Sequence, residues 1–337
     1  MPAQPGYCFV DAHLDLAYHC QEHGRGIVDP GDKPCMVTLP LLLSAGVRLV
    51  CGTLFTPHTG TPAERRARIE AQYALYGQWF TQYAEVLWPV RSKADLLRLA
   101  DAQRVHWCGV DVYPVGVVLL LEGCELIEDA DDLALWHGRG LRIASLTWNG
   151  VNQYASGTFG VDSGLTEQGI ALLTEFRRLG IVLDLSHLSD RAVADVFTHY
   201  DGPLCATHSN SRTVAQSPRN LLDGQAQEIA QRGGVVGLNL LASFVRTGWK
   251  DGDELPAVAE ATDHLEYLRG LLGPQHIGLG SDLDGGLTPL NTPAGIDRID
   301  HLSLLLGDLD SRGWGKEDIA AFSCRNWWAF FERVLPD

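Results

Sequence analysis

A histidine and an aspartate stand two residues apart near the start of the chain, in the segment Asp11-Ala-His-Leu-Asp15. Apolar residues precede the pair, which is typical of a strand that runs into a polar end. Residues two apart in a strand point to the same face, so His13 and Asp15 would leave the strand side by side. Imidazole and carboxylate are both good ligands for a divalent transition metal. The pair alone is weak evidence, because a chain with twelve histidines contains this spacing by chance fairly often.

Four more strand-like segments also end in a side chain of this kind, namely Glu122, His187, His208 and Asp282. If the strands form a parallel barrel, their carboxyl ends meet at one face, and three imidazoles and three carboxylates converge there. So many charges and lone pairs are costly to bury without partners, and a pair of divalent cations would supply them. We therefore expect one metal to be held by His13 and Asp15. His187 and His208 would hold the other, with Glu122 as a bridge.

A site of this composition suits hydrolysis. Two zinc ions about 3.5–4 Å apart can share a hydroxide, which is a strong nucleophile at neutral pH. Asp282 would act as the proton shuttle, passing a proton from the bridging water to a leaving amine. Each residue also has a structural explanation. A single histidine can be a hydrogen-bonded structural residue, and Glu122 can be a helix N-terminal carboxylate stabilised by the helix dipole. Asp282 and Asp284 can shape the Asp-x-Asp-Gly turn. Six such residues at strand ends together favour the metal site.

Eight short apolar segments with turn residues at their ends predict β-strands. They span residues 7–11, 47–55, 115–121, 141–147, 181–186, 203–207, 235–240 and 276–281. Helical patterns lie between most of them, including two helices within 62–102 and one that begins after Thr166 and stops at Gly180. This alternation predicts a (β/α)8 TIM-type barrel of the metal-dependent hydrolase type, with residues 1–337 as a single domain. A doubly wound open sheet is the alternative, but the sequence has no Gly-x-Gly-x-x-Gly turn after its first strand.

The composition narrows the choice of partners. The 337 residues include 42 acidic and 26 basic ones, for a net charge of −16 at pH 7. Nucleic acid and anionic membranes bind basic protein surface, so we expect neither as a partner. We also expect no membrane span and no N-terminal targeting segment. The eight cysteines are scattered, mostly among apolar residues, which is typical of reduced thiols in a cytoplasmic protein.

The candidate ligands belong to a longer series of motifs. These are Asp11-Ala-His-Leu-Asp15, Leu121-Glu-Gly123, Ser145-Leu-Thr-Trp-Asn149, Gly164-Leu-Thr-Glu-Gln-Gly169, Leu183-Asp-Leu-Ser-His-Leu-Ser189, Thr207-His-Ser209, Pro218-Arg-Asn220 and Gly280-Ser-Asp-Leu-Asp-Gly285. In this order the series resembles the membrane dipeptidase (renal dipeptidase-like) family, zinc metallopeptidases of the amidohydrolase superfamily. The motifs span nearly the whole chain, and Asp-Leu-Ser-His with the later Thr-His-Ser is the most specific part.

The resemblance implies a distorted (β/α)8 barrel with two zinc ions per chain and a dipeptide as substrate. Its ligand assignment agrees with the one argued above, with Glu122 and a hydroxide as bridges and Asp282 as the acid–base group. Arg219 matches the family's arginine that holds the C-terminal carboxylate of the substrate, which suits the bidentate fork of arginine. Family members often accept a D-residue at the C-terminal position and are often dimers. We therefore expect cleavage of L,L- and L,D-dipeptides, and a homodimer is compatible with the resemblance.

The chain departs from the family at one position. The animal enzymes carry a histidine that contacts the scissile carbonyl, where this chain has Trp148. An indole has one donor and no positive charge. Either Asn149 or Asn152 polarises the carbonyl, or the substrate sits differently, or Trp148 packs the pocket wall. The prediction is a dipeptidase. Three alternatives stay open. The first is a related hydrolase that acts on another amide, a lactam or a lactone. The others are a barrel that binds a small acidic ligand without turnover and a metal-free structural or interaction protein.

Overall fold

In the computed structural model, which describes residues 8–337, eight parallel strands lie side by side in one sheet. In chain order they are β1 (Phe9–Leu14), β2 (Val47–Phe55), β3 (Val115–Glu122), β4 (Leu141–Ala144), β5 (Val182–Asp184), β6 (Leu204–Cys205), β7 (Val236–Leu238) and β8 (Ile277–Leu279). β1 pairs with β2 on one side and with β8 on the other. A parallel bridge between Ala206 and Val236 joins β6 to β7, so the sheet forms a nearly closed barrel. The predicted (β/α)8 fold is confirmed.

Every predicted strand has an observed counterpart, although the first one is shifted. The sequence predicts a strand over 7–11, whereas β1 is Phe9–Leu14 and includes His13. Tyr7, where the prediction begins, lies outside the described residues. The register between β1 and β2 shifts twice within this short strand, as expected for an irregular strand with polar side chains among its apolar ones.

Five of the other strands, β4 to β8, end two or three residues earlier than the sequence predicts. β5, β6 and β8 each stop three residues before a candidate ligand, so His187, His208 and Asp282 lie in loops at the carboxyl end of the barrel. Between the two helices predicted within 62–102, the structure also has a short strand, Leu87–Pro89. It pairs in parallel with the first three residues of β3, Val115 to Val117. An antiparallel hairpin, Val105–Trp107 with Val110–Val112, stands apart from the barrel.

Helices surround the sheet. Those in the described part of the chain are α1 (Leu16–His23), α2 (Leu39–Ser44), α3 (Pro62–Gln82), α4 (Lys93–Ala100), α5 (Ala130–Gly138), α6 (Glu167–Leu179), α7 (Asp190–His199), α8 (Asp223–Gln231), α9 (Ala242–Val245), α10 (Val258–Leu272), α11 (Ser303–Ser311), α12 (Lys316–Ala320) and α13 (Asn326–Val334). A π-helical turn, Ala321–Arg325, links the last two. None of the helices within residues 8–337 is long and apolar enough to cross a bilayer.

The bounds of α6 follow from the residues at its ends, as predicted. The side chain of Thr166 accepts a hydrogen bond from Gly169 N–H at 3.0 Å and so caps one of the free donors of the first turn. At the other end Gly180 has the left-handed conformation (φ 72°) that closes many helices, and its N–H donates to the last carbonyls. Leu172, Leu173 and Phe176 point inward between these caps and pack on the barrel.

The lower interior of the barrel is apolar and closed. Val118 and Leu120 of β3 share the strand face of Glu122, because residues two apart point the same way. They pack in one cluster with Trp327, whose indole N–H donates to Leu279 O at 2.9 Å, and with Phe331. Helix α13 therefore forms the floor of the barrel, at the amino ends of the strands, while the carboxyl ends stay open to the candidate site.

Candidate active site

The polar side chains predicted from the strand ends meet at the open face of the barrel. Their common neighbour is Oε1 of Glu122, the last residue of β3. It lies 2.7 Å from His187 Nε2 and 3.5 Å from both His13 Nε2 and His208 Nε2. All four residues are buried. A cluster of this kind inside a protein needs a compensating positive charge.

Three overlapping sets of donor atoms within residues 8–337 could hold a metal ion. They are His13–Asp15–Glu122, Glu122–His187–His208 and His13–His208–Asp282, with the donor atoms of each set within 4.8 Å of one another. The first two sets contain the ligands that the sequence predicts for each metal, and Glu122 is common to both. The structure thus brings all six predicted residues together around one centre.

Thr207 determines which nitrogen of two imidazole rings faces that centre. Its hydroxyl donates to Asp184 Oδ2, so its oxygen accepts from His208 Nδ1–H at 2.8 Å and from His13 Nδ1–H at 3.2 Å. The third ring is fixed in the same way by Asn149, whose Oδ1 lies 2.9 Å from His187 Nδ1. All three rings therefore direct Nε2 inward. Metal-ligating histidines are commonly held by a hydrogen bond at the other ring nitrogen in this manner.

The geometry of the imidazoles fits a bound cation. Burial, together with the nearby Arg219 charge, lowers the pKa of His187 to about 4, and burial also holds the pKa of His208 well below its usual value. Both rings are therefore neutral at pH 7, yet their Nε2 lone pairs face each other across 2.9 Å. The Nε2 atom of His13 is buried without a hydrogen-bond partner. Three imidazole nitrogens that converge at this spacing are what a site for a divalent metal provides, and a metal would displace the proton of His13.

The carboxylates add an excess of negative charge. Burial, reinforced by the charge of Glu122, raises the pKa of Asp15 to about 7. Burial raises the pKa of Asp282 to about 8, and the charges of Asp15 and Glu122 add to the effect. Burial opposes charge on His13 as well, but the adjacent Glu122 outweighs it and raises the pKa of His13 to about 10. The cluster therefore takes up protons, and a divalent cation can replace them.

Two buried aspartates support the ligands from below, and sequence reasoning missed both. Asp11 accepts from Ser281 N–H at 2.9 Å and from Ser281 Oγ–H at 2.5 Å, which ties β1 to the loop after β8. Asp184 accepts from Ser186 Oγ–H at 2.6 Å and from Thr207 N–H at 2.9 Å, which ties β5 to β6. Each aspartate stands in an apolar strand two or three residues before a ligand histidine. That placement is the sequence signal that could have identified them.

The loop after β8 aims its two aspartates in opposite directions. Asp282 and Asp284 both have left-handed backbone conformations, with φ of 63° and 67°. Asp282 faces the metal-ligand cluster and accepts from Asn239 Nδ2–H at 3.0 Å. Asp284 faces away, where it accepts from Arg25 Nη2–H and Met36 N–H, each at 2.7 Å. The turn-shaping role considered for both residues thus fits Asp284. A Cβ on Gly285 would overlap the carboxylate of Asp282, so only glycine fits beside it.

The residues predicted to contact substrate occupy three different positions. Arg219 is buried in the site, where its guanidinium donates to Ser186 O and lies 3.0 and 2.8 Å from the Nε2 atoms of His187 and His208. Trp148 lines the pocket wall and packs edge-on against Phe55, with ring centroids 5.1 Å apart.

The two asparagines considered for the scissile carbonyl differ. Asn149 lines the pocket while its Oδ1 holds His187. Asn152 is engaged in a turn, donating from Nδ2 to Leu146 O at 2.8 Å and accepting from Tyr154 N–H at 2.8 Å. It does not line the pocket, so a role for Asn152 at the carbonyl is not supported.

The pocket above the cluster has a volume of about 280 Å³. Its floor is polar, formed by the candidate ligands, whereas its walls are mostly apolar. The wall residues are Tyr18, Phe55, Trp148, Leu241, Phe244 and Leu287. A concave, largely apolar space with a few convergent polar groups is the common form of a small-molecule site.

Comparison with known proteins agrees with this geometry. The sequence profile of the membrane dipeptidase family, peptidase family M19, matches residues 5–335. The chain belongs to this family. A Klebsiella pneumoniae relative described as an uncharacterized protein in the pqqA 5′ region is 32% identical over 256 residues, which is 73% of this chain and 92% of the relative. The resemblance derived from the motifs is therefore confirmed, and the protein is a metal-dependent dipeptidase.

Solved structures of the membrane dipeptidase family superimpose on the chain over nearly its full length. One, described as dipeptidase AC, a metallo peptidase of family M19, is 28% identical with a TM-score of 0.84, covering 98% of this chain and 99% of its own. Another, a metallo peptidase from Rhodobacter sphaeroides, contains a phosphinate mimic of the dipeptide L-Ala-D-Ala. It is 27% identical with a TM-score of 0.81 and covers 97% of this chain and 99% of its own.

Proposed function

We propose that this dipeptidase uses two zinc ions and cleaves both L,L- and L,D-dipeptides. The observation that carries the proposal is the position of Glu122, which belongs to two of the three donor sets and can serve both ions. Imidazole nitrogens and carboxylate oxygens in sets of three are typical zinc ligands, with room left for water or substrate. The relative that holds an L-Ala-D-Ala mimic supports the L,D part of the proposal.

When bound, the two ions would make a shared hydroxide available at neutral pH and polarise the scissile carbonyl. The protein's own contribution to proton transfer comes from Asp282. Its carboxylate reaches the pocket, belongs to a donor set with His13 and His208, and is held by Asn239. From there it can accept the proton of the attacking water and deliver it to the departing amine, as general acid–base catalysis requires.

Arg219 would bind the C-terminal carboxylate of the substrate. Its guanidinium now faces the imidazoles of His187 and His208, and its Nε–H is buried without a partner. A cation held by those imidazoles would repel the guanidinium, which would then turn toward the pocket that it already lines. A carboxylate there can accept from Nε–H and an Nη–H at once, the bidentate geometry that arginine favours.

Trp148 would pack against the substrate rather than polarise its carbonyl. The indole stands in an aromatic wall with Phe55 and His58, at centroid distances of 5.1 and 5.7 Å. Asn149 holds His187 through Oδ1 and lines the pocket, so its amide N–H2 would be the donor available to the carbonyl. In this chain the role of the missing histidine would thus pass to the metal and to Asn149.

The proposal is tested by assaying zinc-loaded protein on L,L- and L,D-dipeptides, with N-blocked and C-amidated versions of each as controls. We expect two zinc ions per chain by elemental analysis and cleavage that requires both free termini. Cleavage of the C-amidated versions at the same KM would contradict the role of Arg219. Loss of the L,D substrates alone would restrict the enzyme to L,L-dipeptides. If the protein binds two zinc ions but cleaves no dipeptide, the substrate would instead be another amide, a lactam or a lactone.

A further inference from the structure

Three aromatic side chains form one side of the active-site pocket, and each touches the next. Tyr18 packs edge-on against Phe55 with ring centroids 4.9 Å apart, and Phe55 packs edge-on against Trp148 at 5.1 Å. All three line the pocket, and we call them the aromatic subsite. They come from three separate segments, namely the start of α1, the end of β2 and the loop after β4. The fold, rather than a local motif, therefore brings them together.

Neighbouring residues hold the aromatic subsite in place. Gln72 of α3 binds both backbone groups of Phe55, since its Oε1 accepts from Phe55 N–H at 2.9 Å and its Nε2–H donates to Phe55 O at 2.7 Å. The ring of His58 packs edge-on against Trp148 with centroids 5.7 Å apart, and His58 Nε2 lies 2.7 Å from Oε1 of Glu125. Side chains that are already fixed lose little further entropy when a ligand binds, so the rings form a preorganised surface.

The strand order places this surface opposite Arg219. The strands follow one another around the barrel in chain order, so β2 lies four strands from β6 in either direction. Arg219 follows β6, and its guanidinium lies against the imidazoles of His187 and His208 on that side. Phe55 ends β2 and is in register with Glu122 of β3. The metal-ligand cluster therefore lies between the arginine and the aromatic rings.

A dipeptide can span these positions in one orientation. With its C-terminal carboxylate on Arg219 and its scissile carbonyl above Glu122, its N-terminal residue extends toward β2 and meets the aromatic subsite. The three rings offer no negative charge to the α-ammonium group, whereas Asp15 lies on the floor of the same pocket. An unpaired charge is costly to bury against apolar surface. The ammonium group would therefore stay near the floor, and the side chain of the same residue would lie on the rings.

We propose that the aromatic subsite receives the side chain of the N-terminal residue and that the enzyme prefers dipeptides with an aromatic residue there. The assignment rests on the proposed dipeptidase function and on Arg219 as the carboxylate receptor. Aromatic rings pack edge-on or offset with centroids about 4.5–7 Å apart, and such pairs are stabilising beyond the area that they bury. Trp148, at the position where the animal enzymes carry a histidine, would thus select substrates by packing against them.

The first test measures kcat/KM of the zinc-loaded enzyme for Xaa-Ala dipeptides, in which Xaa is alanine, cyclohexylalanine or phenylalanine. Phenylalanyl-alanine should exceed alanyl-alanine by at least about tenfold, because the larger side chain is removed from water. It should exceed the cyclohexylalanine substrate, which is similar in size but not aromatic, by about two- to tenfold. Alanyl-phenylalanine, with the ring on the other residue, should not share the gain. Equal rates for phenylalanine and cyclohexylalanine, or an equal gain for alanyl-phenylalanine, would overturn the assignment.

Substitutions within the subsite test its location. Trp148→Leu and Phe55→Leu each remove a ring and keep an apolar side chain. The ratio of kcat/KM for phenylalanyl-alanine to that for alanyl-alanine should fall at least about fivefold in each. The ratio is the readout because both positions adjoin the metal-ligand cluster, where a substitution can lower both rates. Phe159→Leu is the matched control, since this exposed ring lies in the same loop as Trp148 and does not line the pocket. It should keep the wild-type ratio, and an unchanged ratio in both subsite variants would contradict the proposal.

A binding measurement on the wild-type protein depends on neither turnover nor a variant. Phosphinate dipeptide mimics with a benzyl or a methyl N-terminal side chain are titrated into the zinc-loaded protein and followed by calorimetry. The benzyl mimic should bind at least about tenfold more tightly than the methyl mimic. Equal affinities would overturn the subsite. Failure of every dipeptide to be cleaved, with the benzyl mimic still bound more tightly, would overturn the proposed function instead and leave the subsite in place.

Discussion

The two ends of the barrel are built from the same strands and differ in nearly every physical respect. At the carboxyl ends, Glu122 and its neighbours bury ionisable groups, and His13 Nε2 has no hydrogen-bond partner. At the amino ends, Trp327 and Phe331 fill the floor with apolar surface, and the single indole N–H of Trp327 is satisfied by Leu279 O. One end is therefore costly to fold without a ligand, and the other stabilises the fold unaided.

This difference separates function from stability along one set of strands. We call the face at the carboxyl ends of the strands the mouth. Its loops carry Asp282 and Asp284, whose backbone is in the left-handed conformation, and a converging group of ionisable side chains. Close packing of the barrel requires neither feature. The floor has no comparable charge cluster within residues 8–337. Substitutions at the mouth should thus reduce activity or metal binding with limited loss of stability, and substitutions at the floor should do the reverse.

The largest effect is expected at the mouth from Asp282→Asn. Loss of the proton-transferring carboxylate should lower kcat by about 10²–10⁴-fold. Zinc content should not change, because the predicted ligands His13, Asp15, Glu122, His187 and His208 are all retained. The check is kcat on a dipeptide together with elemental analysis. Asp251→Asn, an exposed position, is the control. Loss of zinc along with activity would make Asp282 a ligand rather than a proton shuttle.

At the floor, Trp327→Ala should lower the free energy of unfolding by about 3–5 kcal/mol, because it leaves a large cavity in a buried cluster. The kcat per folded molecule and the zinc content should stay as in the wild type. Urea unfolding with zinc held constant measures the change. Glu332→Ala is the control, since this residue lies on the exposed face of the same helix. An equal loss of stability in both variants would mean that helix formation, not the floor contact, is the cause.

Thr207→Val tests the layer beneath the mouth. The methyl group cannot accept from the Nδ1–H groups of His13 and His208, so both rings lose the bond that fixes their orientation. Zinc affinity should fall about 10–100-fold, the usual effect of removing such a partner. Competition with a chelator measures it, and Thr198→Val on the exposed face of α7 should bind zinc normally. Unchanged affinity in the Thr207 variant would indicate that the rings are held by packing alone.

The smallest change in the free energy of unfolding is expected in the outer layer of helices, away from both ends of the barrel. Thr166→Ala removes the side-chain cap of α6 and should reduce the free energy of unfolding by about 1 kcal/mol. Neither kcat nor zinc affinity should change, since α6 lies on the outer layer. Thr174→Ala, at an exposed position within the same helix, should have a smaller effect on thermal unfolding. A change in activity in the Thr166 variant would show that the outer layer and the mouth are coupled.

The mouth was more predictable from sequence than the floor. Each ligand follows a recognisable apolar strand, so the rule that parallel strands end at one face was enough to bring His187 and His208 together. Helix bounds were predictable where caps are local, as at Thr166 and Gly180. The floor depends on Trp327 contacting Leu279, 48 residues earlier in the chain, and no periodicity reveals such a contact.

What the sequence did not reveal at the mouth has a similar cause. Asp184 reaches Thr207 across 23 residues, and Asn149 reaches His187 across 38, so these hydrogen bonds appear only once the strands are placed side by side. β1 was predicted to stop before His13 because polar residues usually mark a strand end, whereas the barrel buries Asp11 and His13 within the strand. Arg219 was recognised through family resemblance, since a Pro-Arg-Asn turn carries no signal of its own.

The pairing of Asp11 with Leu279 also has a consequence for how the chain is made. At ~5–20 residues per second, a ribosome needs roughly 13 to 54 seconds to reach the partner of the first strand. During that interval β1 has one unpaired edge exposed to other nascent chains. The floor helix, α13, is synthesised after all eight strands, so the amino ends of the strands are sealed later still. The newly made protein should therefore depend on chaperones until the floor helix has docked.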